Sequence, residues 1–403
     1  MRSDASPPLR IAQIVAASSH SPWFTNICFE MARRGFEIVA IIDSSEGDLA
    51  GRLQAGGIRT YQVPMYFGGN LDRARLPLYV LSFPFVIARI ARILRRERID
   101  VAHSHIFVAN FAARMACLLA GKRHVAGIAG PRHLEAGITR MAERLTCWAD
   151  DLIVGGCEYI ASIYRRLGVA EERVASVYYG SPVENFEPAD VDRQAFRREL
   201  GIPPDAPVIG LVAHFYPPMR GPQAPRNTRG VGLKGHDTFL AAARIVSRRF
   251  PDARFVLVGA GSNDLGEQYR QSLIESCRAD GFIDNVLFPG HRTDLQQVLV
   301  SFDVAVQCSL TECLGGTIEA LLMERPMVAT RVGGMPEAVR HEETGLVVPP
   351  ADAPALAAAI ERLLADRSEA QRLARAGRTL MLERFTLTRT GSDLAALYAR
   401  VAG

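Results

Sequence analysis

The stretch 303-DVAVQCSLTECLGGTIEALLMERPMVAT-330 contains a strand, a turn, a helix and a second strand in one run. "DVAVQCS" is a short apolar run of buried-strand type, a helix begins near Gly316, and "PMVAT" is the next strand. A strand followed by a helix and a further strand is the repeating unit of a doubly wound parallel sheet. Gly315 and Gly316 fall where the chain enters the helix. The first N–H groups of a helix have no internal partner, and with the helix dipole they favour an anion. Glycine lets a phosphate come close to the backbone, and Thr317 adds a hydroxyl. Glu312 and Glu319 flank the turn, where carboxylates can accept hydrogen bonds from vicinal hydroxyls. Taken alone, Glu319 reads as a first-turn residue favoured by the dipole, and only in combination with the rest of the turn does it read as a hydroxyl acceptor.

The same rhythm extends in both directions. Downstream comes "GLVV", and upstream lie "VIGLVAHF", "ARFVLVGAG" and "NVLFPG", separated by helix-period segments. Beyond the polar, proline-marked segment Ser181–Pro207, read as a linker with a short helix, the pattern repeats. There "RIAQIVAA", "FEIVAII", "DVAHSH", "RHVAGIAG", "DLIVGG" and "SVYYG" read as strands. Such alternation is the mark of parallel sheets covered on both faces. The expectation is an α/β chain of two Rossmann-like doubly wound domains facing across a cleft, residues 1–184 and 185–380, with ligands beyond the carboxyl ends of the strands.

Composition narrows the class. At 403 residues the chain is too long for one ordinary core, and 48% hydrophobic against 22% charged residues describes a globular protein. Residues 1–184 carry 22 Lys and Arg against 17 Asp and Glu, so the first half is mildly basic. That suits an anionic partner or membrane surface and is too weak for a nucleic-acid footprint. The 7 cysteines show no CxxC and no metal-ligand spacing, which points to buried thiols in a reducing cytoplasm. "MRSDASPPLR" is not a signal peptide. Pro77–Leu94 is apolar, then basic, and reads as a helix packed on a sheet with its charged end in water, or as one lying on an anionic membrane.

Further candidates sit at strand ends. "GLKGHDTFLAAA" places Lys234 and Gly235 at a helix start, where the ammonium can meet the charge growing on a departing diphosphate. "FPGHRTDL" puts Arg292, Asp294 and Leu295 in a strand-to-helix loop able to enclose a base, with Asp294 as the helix cap. His103 and His105 share one side of their strand, and Arg132 and His133 end the next; these polar groups suit an acceptor. No third ligand supports a metal at the histidine pair. The segment Tyr216–Gly232 reads either as a surface insertion or as a lid carrying Arg220, Arg226 and Arg229 over an anion.

The second half resembles the retaining nucleotide-sugar glycosyltransferases of GT-B fold, the large bacterial family 4 (glycosyl transferases group 1). The matching pieces are "LKGHDTFLAA", "FVLVGAG", "NVLFPGHRTDL", "DVAVQCS", "GGTIEALL" and "PMVATRVGGMPEAVRHEETGLVVPP". The first half matches more loosely through "HSHIFVANFAARMA", "ADDLIVGG" and "VYYGSPVENFEP". The resemblance implies a UDP- or GDP-sugar as donor substrate, no separate cofactor and no metal, and a cytoplasmic enzyme, peripheral to the membrane where its acceptor is lipid-linked. Lys234 would contact the diphosphate, with Gly235 beside it. Gly315, Gly316 and Thr317 would lie by the phosphate or sugar, Glu319 by the ribose, and Glu312 and His105 by the donor sugar. Residues 381–403 would cross back onto the first domain. The acceptor would be a small molecule, a polysaccharide or a lipid-linked glycan, and no nucleic acid.

Three departures stand out. One residue fewer separates Glu312 from Glu319 than is usual for the family's two glutamates. His214 replaces an arginine, for which Arg229 or another arginine of the insertion, or Arg292, would substitute. "SSHSPWFTN" replaces a glycine pair, putting His20, Trp23 and Thr25 on the acceptor side, Trp23 either stacked on a sugar or packed in the core. Two other readings remain: a nucleotide-sugar 2-epimerase of the same fold, and an inactive nucleotide-sugar-binding protein.

Overall fold

The computed structural model describes residues 7–19, 21–44, 47–65, 76–218 and 230–403, with the side chains of 76–80 left aside. The chain forms two compact units. The first comprises the chain up to Leu134, Ile138–Ser181 and Leu387–Gly403. Its sheet contains β1 (Arg10–Val15), β2 (Glu37–Asp43), β3 (Arg59–Val63), β4 (Val101–His105), β5 (Arg123–Ile128), β6 (Leu152–Gly155) and β7 (Val174–Ser176). The strand order is β3-β2-β1-β4-β5-β6-β7. Every pairing is parallel. β1 and β4 are buried almost throughout, because helices cover both faces of the sheet. β3, absent from the sequence reading, is an edge strand with only Val63 buried, so it lacks the continuous apolar run of its neighbours.

The basic-ended helix, Leu76–Arg96, packs on Phe107–Ala120 through Val86, Ile90 and Leu94 and leaves Arg92, Arg95 and Arg96 exposed. Among the described residues no helix is long and apolar enough to cross a membrane. The last helix, Leu387–Ala402, packs on Pro22–Arg33 and buries Leu394 and Tyr398 completely.

One element of this unit inverts the usual pattern. The helix Gly137–Thr146 buries a single residue, and that residue is Glu143. Its carboxylate accepts from Arg114, 2.8 Å away, and from the Tyr164 hydroxyl at 2.9 Å. Arg114, wholly buried, also donates to both oxygens of Asp150 at 2.8 and 2.6 Å, and His124 Nδ1 lies 2.6 Å from Asp150 Oδ1. Desolvation works against ionised Asp150, and the His124 and Arg114 contacts overcome it, holding its pKa low.

The second unit comprises Glu135–Gly137 and Pro182–Thr386. Its strands are β8 (Val208–Val212), β9 (Arg254–Val258), β10 (Val286–Gly290), β11 (Val304–Gln307), β12 (Met327–Thr330) and β13 (Leu346–Val348). They run β10-β9-β8-β11-β12-β13, again all parallel. Phe215, Phe239 and Phe255 fill the core with Ile360 and Leu373 from the flanking helices. In both sheets the order reverses beside the first strand, between β1 and β4 and between β8 and β11. The carboxyl ends of strands at such a reversal form a ready-made crevice.

Candidate functional site

In the second unit the reversal gathers most of the candidate donor residues. His214 follows β8, and Lys234 precedes the helix His236–Arg249 that β8 leads into. The loop from Cys308 to Gly316 leaves β11. The Lys234 ammonium forms an ion pair with Glu312 Oε2 and lies 5.8 Å from the centre of the Tyr216 ring. Burial pulls the Lys234 pKa down, but the charge and hydrogen bond of Glu312 outweigh it and leave the ammonium above its usual value. Glu312 also accepts from the Cys313 N–H at 3.1 Å.

Glycines bring these pieces together. Gly235 has φ +73°, and a Cβ there would lie 2.0 Å from the Cys308 carbonyl oxygen. Gly333 has φ +53°, and its Cβ would come 1.7 Å from the Glu312 carbonyl oxygen. The second glycine turn, "RVGGMPE", therefore braces the loop that carries Glu312. Thr330 Oγ1 ties the same loop by donating to Ser309 O at 2.6 Å. Gly315, φ +57°, is exposed, and Gly316 and Glu319 are half-buried. The helix Thr317–Leu322 is short, with Gly316 as its N-cap.

Other candidates already have partners within the unit. Thr317 is wholly buried and its hydroxyl donates to the Leu314 carbonyl. Arg292 is held by two carboxylates, Glu199 at 2.5 and 2.9 Å and Asp294 at 2.8 and 2.7 Å. Asp294 is the N-cap residue of Leu295–Val300, but its side chain makes no capping bond because Arg292 takes it. Leu295 opens that helix, half-buried, after the edge strand β10. His214 is exposed, its ring stacked on His291 with centroids 6.1 Å apart. Arg229, like Arg220 and Arg226, lies outside the described residues, as does His20.

In the first unit, His103 and His105 do share one side of β4, with ring centroids 4.1 Å apart, and both are wholly buried. His105 Nε2 is 2.8 Å from Gln13 Oε1, which can only accept, so the hydrogen is on Nε2. Its Nδ1 then accepts from Tyr179 OH at 3.2 Å. Gln13 Nε2 donates to Tyr398 OH at 2.8 Å, and Tyr398 in turn donates to His103 Nδ1 at 2.6 Å. Burial drives the His105 pKa down to about 3 and that of His103 well below its usual value. His103 is thus a core histidine rather than an acceptor group, fixed by a tyrosine from the last helix that sequence spacing gave no reason to single out.

Trp23 is half-buried, stacked on Tyr179 at 5.6 Å and edge-on to His105 at 5.2 Å. Thr25 is buried and donates to Pro22 O at 3.0 Å, which removes it from an acceptor surface. Arg132 is exposed, and His133 stacks on Phe107 at 5.1 Å with its pKa lowered by burial to about 4. Among the described residues no three His, Cys, Asp or Glu side chains group as metal ligands.

Residues 229–366 match the family model of glycosyl transferases group 1, and residues 22–180 match a glycosyl transferase 4-like domain. A D-inositol 3-phosphate glycosyltransferase of Saccharomonospora viridis is 27% identical over 401 residues, covering 95% of this chain and 89% of that protein. An alpha-D-kanosaminyltransferase of Streptomyces kanamyceticus is 28% identical over 328 residues, 76% of this chain and 79% of that protein. Among solved structures, Anabaena HepE in complex with UDP-glucose superposes with a TM-score of 0.79 at 19% identity, covering 97% of this chain and 100% of that one. At that identity the likeness shows a shared fold.

Proposed function

We propose that this chain, a nucleotide-sugar-dependent glycosyltransferase of GT-B fold related to family 4, moves a sugar from a UDP- or GDP-sugar to a hydroxyl or amine acceptor with retention of anomeric configuration. The observation that carries the proposal is the Lys234–Glu312 pair beside the open Gly315–Gly316 turn, at the strand reversal of the second unit. An ammonium held charged by a neighbouring carboxylate can exchange that partner for a diphosphate. The carboxylate it releases is then free to accept from sugar hydroxyls. Glu319, in the first turn of the following helix, would accept from a ribose diol on this reading.

In the proposed step the bond between the anomeric carbon and the phosphate oxygen breaks and its electron pair stays on the phosphate. The acceptor oxygen bonds to the same face of the sugar, and its proton passes to the departing phosphate oxygen. Lys234 and the N–H groups of the turn stabilise the charge as it develops. No enzyme base is required on this path. A polyol phosphate belongs in the acceptor panel, because the S. viridis relative is named for one.

The test is NMR of the product formed from each nucleotide sugar with each acceptor. An axial anomeric linkage from an axial donor supports retention, and inversion overturns it. Donor consumed with no acceptor, giving a C2-epimerised sugar, would overturn transfer itself.

A further inference from the structure

We propose that the helix Gly137–Thr146 and the turn after it form a docking face for an anionic phospholipid bilayer. A helix at a protein surface normally turns its apolar stripe to the core. Here the stripe faces water: Ile138 is 68% exposed, Met141 60%, Leu145 64% and the following Trp148 65%. At about 100° per residue, Ile138, Met141 and Leu145 fall within roughly 60° of arc, and Glu143 lies on the opposite side. The helix is fastened by that inward carboxylate to buried Arg114 rather than by apolar packing. Its apolar side chains therefore add little to the core of this unit.

The exposed charges on the element are Arg144 and Arg140, roughly 60° and 100° round the helix from Met141 on one side of the stripe, and its only carboxylate is the buried Glu143. Apolar side chains with a tryptophan, bordered on one side by arginines, match the boundary between acyl chains and anionic headgroups. A second copy of the chain fits less well, since pairing the stripe with itself sets arginine against arginine. Neighbouring helices expose apolar side chains too. Phe107–Ala120 packs against both the turn bearing Trp148 and the helix Leu76–Arg96. It exposes Leu118 and Leu119, 50% and 52%, while the other helix exposes Leu81 and Phe85, 69% and 76%. The inference is independent of the donor site.

The experiment uses the full chain and vesicles of phosphatidylcholine with or without about one third phosphatidylglycerol. The protein should sediment with the anionic vesicles and far less with phosphatidylcholine alone. The chain has 2 tryptophans, so a Trp148→Phe control assigns the expected blue shift of emission to Trp148. Met141→Ser with Leu145→Ser should weaken binding at least about ten-fold, and Arg140→Gln and Arg144→Gln about five-fold each at low salt. All four positions are exposed, so the melting midpoint should not move, and donor turnover in solution should be unchanged. Three results would overturn the proposal. One is no association with anionic vesicles. Another is equal association of the Met141/Leu145 variant. The third is a variant that dissolves a dimer yet binds vesicles as before.

Discussion

Replacing Lys234 by methionine keeps the length of the side chain and removes its charge. Its side chain is 16% exposed, and that of its partner Glu312 is 13% exposed. A unit charge about 4 Å from a phosphate oxygen is worth about 4 kcal/mol at an effective dielectric near 20, and residual solvent reduces this to roughly 3 kcal/mol. Spent on the departing diphosphate, that loss lowers kcat about a hundred-fold. The same variant leaves Glu312 without its counter-ion, so the carboxylate repels the donor and raises its KM. Adding Glu312→Gln removes the repulsion. The double variant should recover much of the donor KM while kcat stays low. Initial rates over a range of donor concentrations, for wild type, the single and the double variant, give both quantities. Turnover of Lys234→Met within about three-fold of wild type would refute the reasoning, as would a double variant whose KM is as poor as that of the single one.

Three further perturbations follow from the packing. Gly333→Ala drives a Cβ to 1.7 Å from the Glu312 carbonyl, so nucleotide affinity should fall along with stability, by roughly 1–3 kcal/mol, read by thermal shift with and without nucleoside diphosphate. Arg114→Leu strands Glu143 and Asp150 in the interior, at a cost of about 3–5 kcal/mol in urea unfolding of the first unit. Acid should also act on that unit first. His105 and His133 are held neutral by burial, to about 3 and about 4, so below pH 6.5 the unfolded chain takes up protons that the folded one refuses. Each then removes roughly 1 kcal/mol by pH 5.5. Calorimetry should show the transition of the first unit moving down between pH 7 and pH 5 further than that of the second, in which His236 is similarly depressed.

The doubly wound architecture was legible because parallel strands buried on both faces read as unbroken apolar runs; all six strands of the second sheet were found, the half-buried edge strand β10 through its run Val286, Leu287 and Phe288. β3 escaped because its solvated edge carries Arg59, Thr60 and Gln62 and so no apolar run. The helix Gly137–Thr146 escaped for a stronger reason: its apolar residues face out and its anchor is a charge, so no amphipathic reading points to its inner face. In the site, Lys234, Glu312 and the glycines could be placed from motif and strand end. Their ion pair could not, because it joins residues far apart in sequence. The same holds for Tyr398, which reaches His103 only because the last helix packs on the first unit. Arg292 and Thr317 sit where expected, but local partners take their polar atoms, and side-chain direction is not encoded in spacing.

The claim beneath the functional reading is that the Gly315–Gly316 turn and Lys234 hold a diphosphate. Calorimetric titration with UDP, GDP and the corresponding monophosphates tests it without an acceptor. One diphosphate should bind in the micromolar range and at least about ten-fold tighter than its monophosphate, a difference of about 1.4 kcal/mol that Lys234→Met should erase. No heat from either diphosphate at millimolar concentration, or equal affinity for mono- and diphosphate, would contradict it.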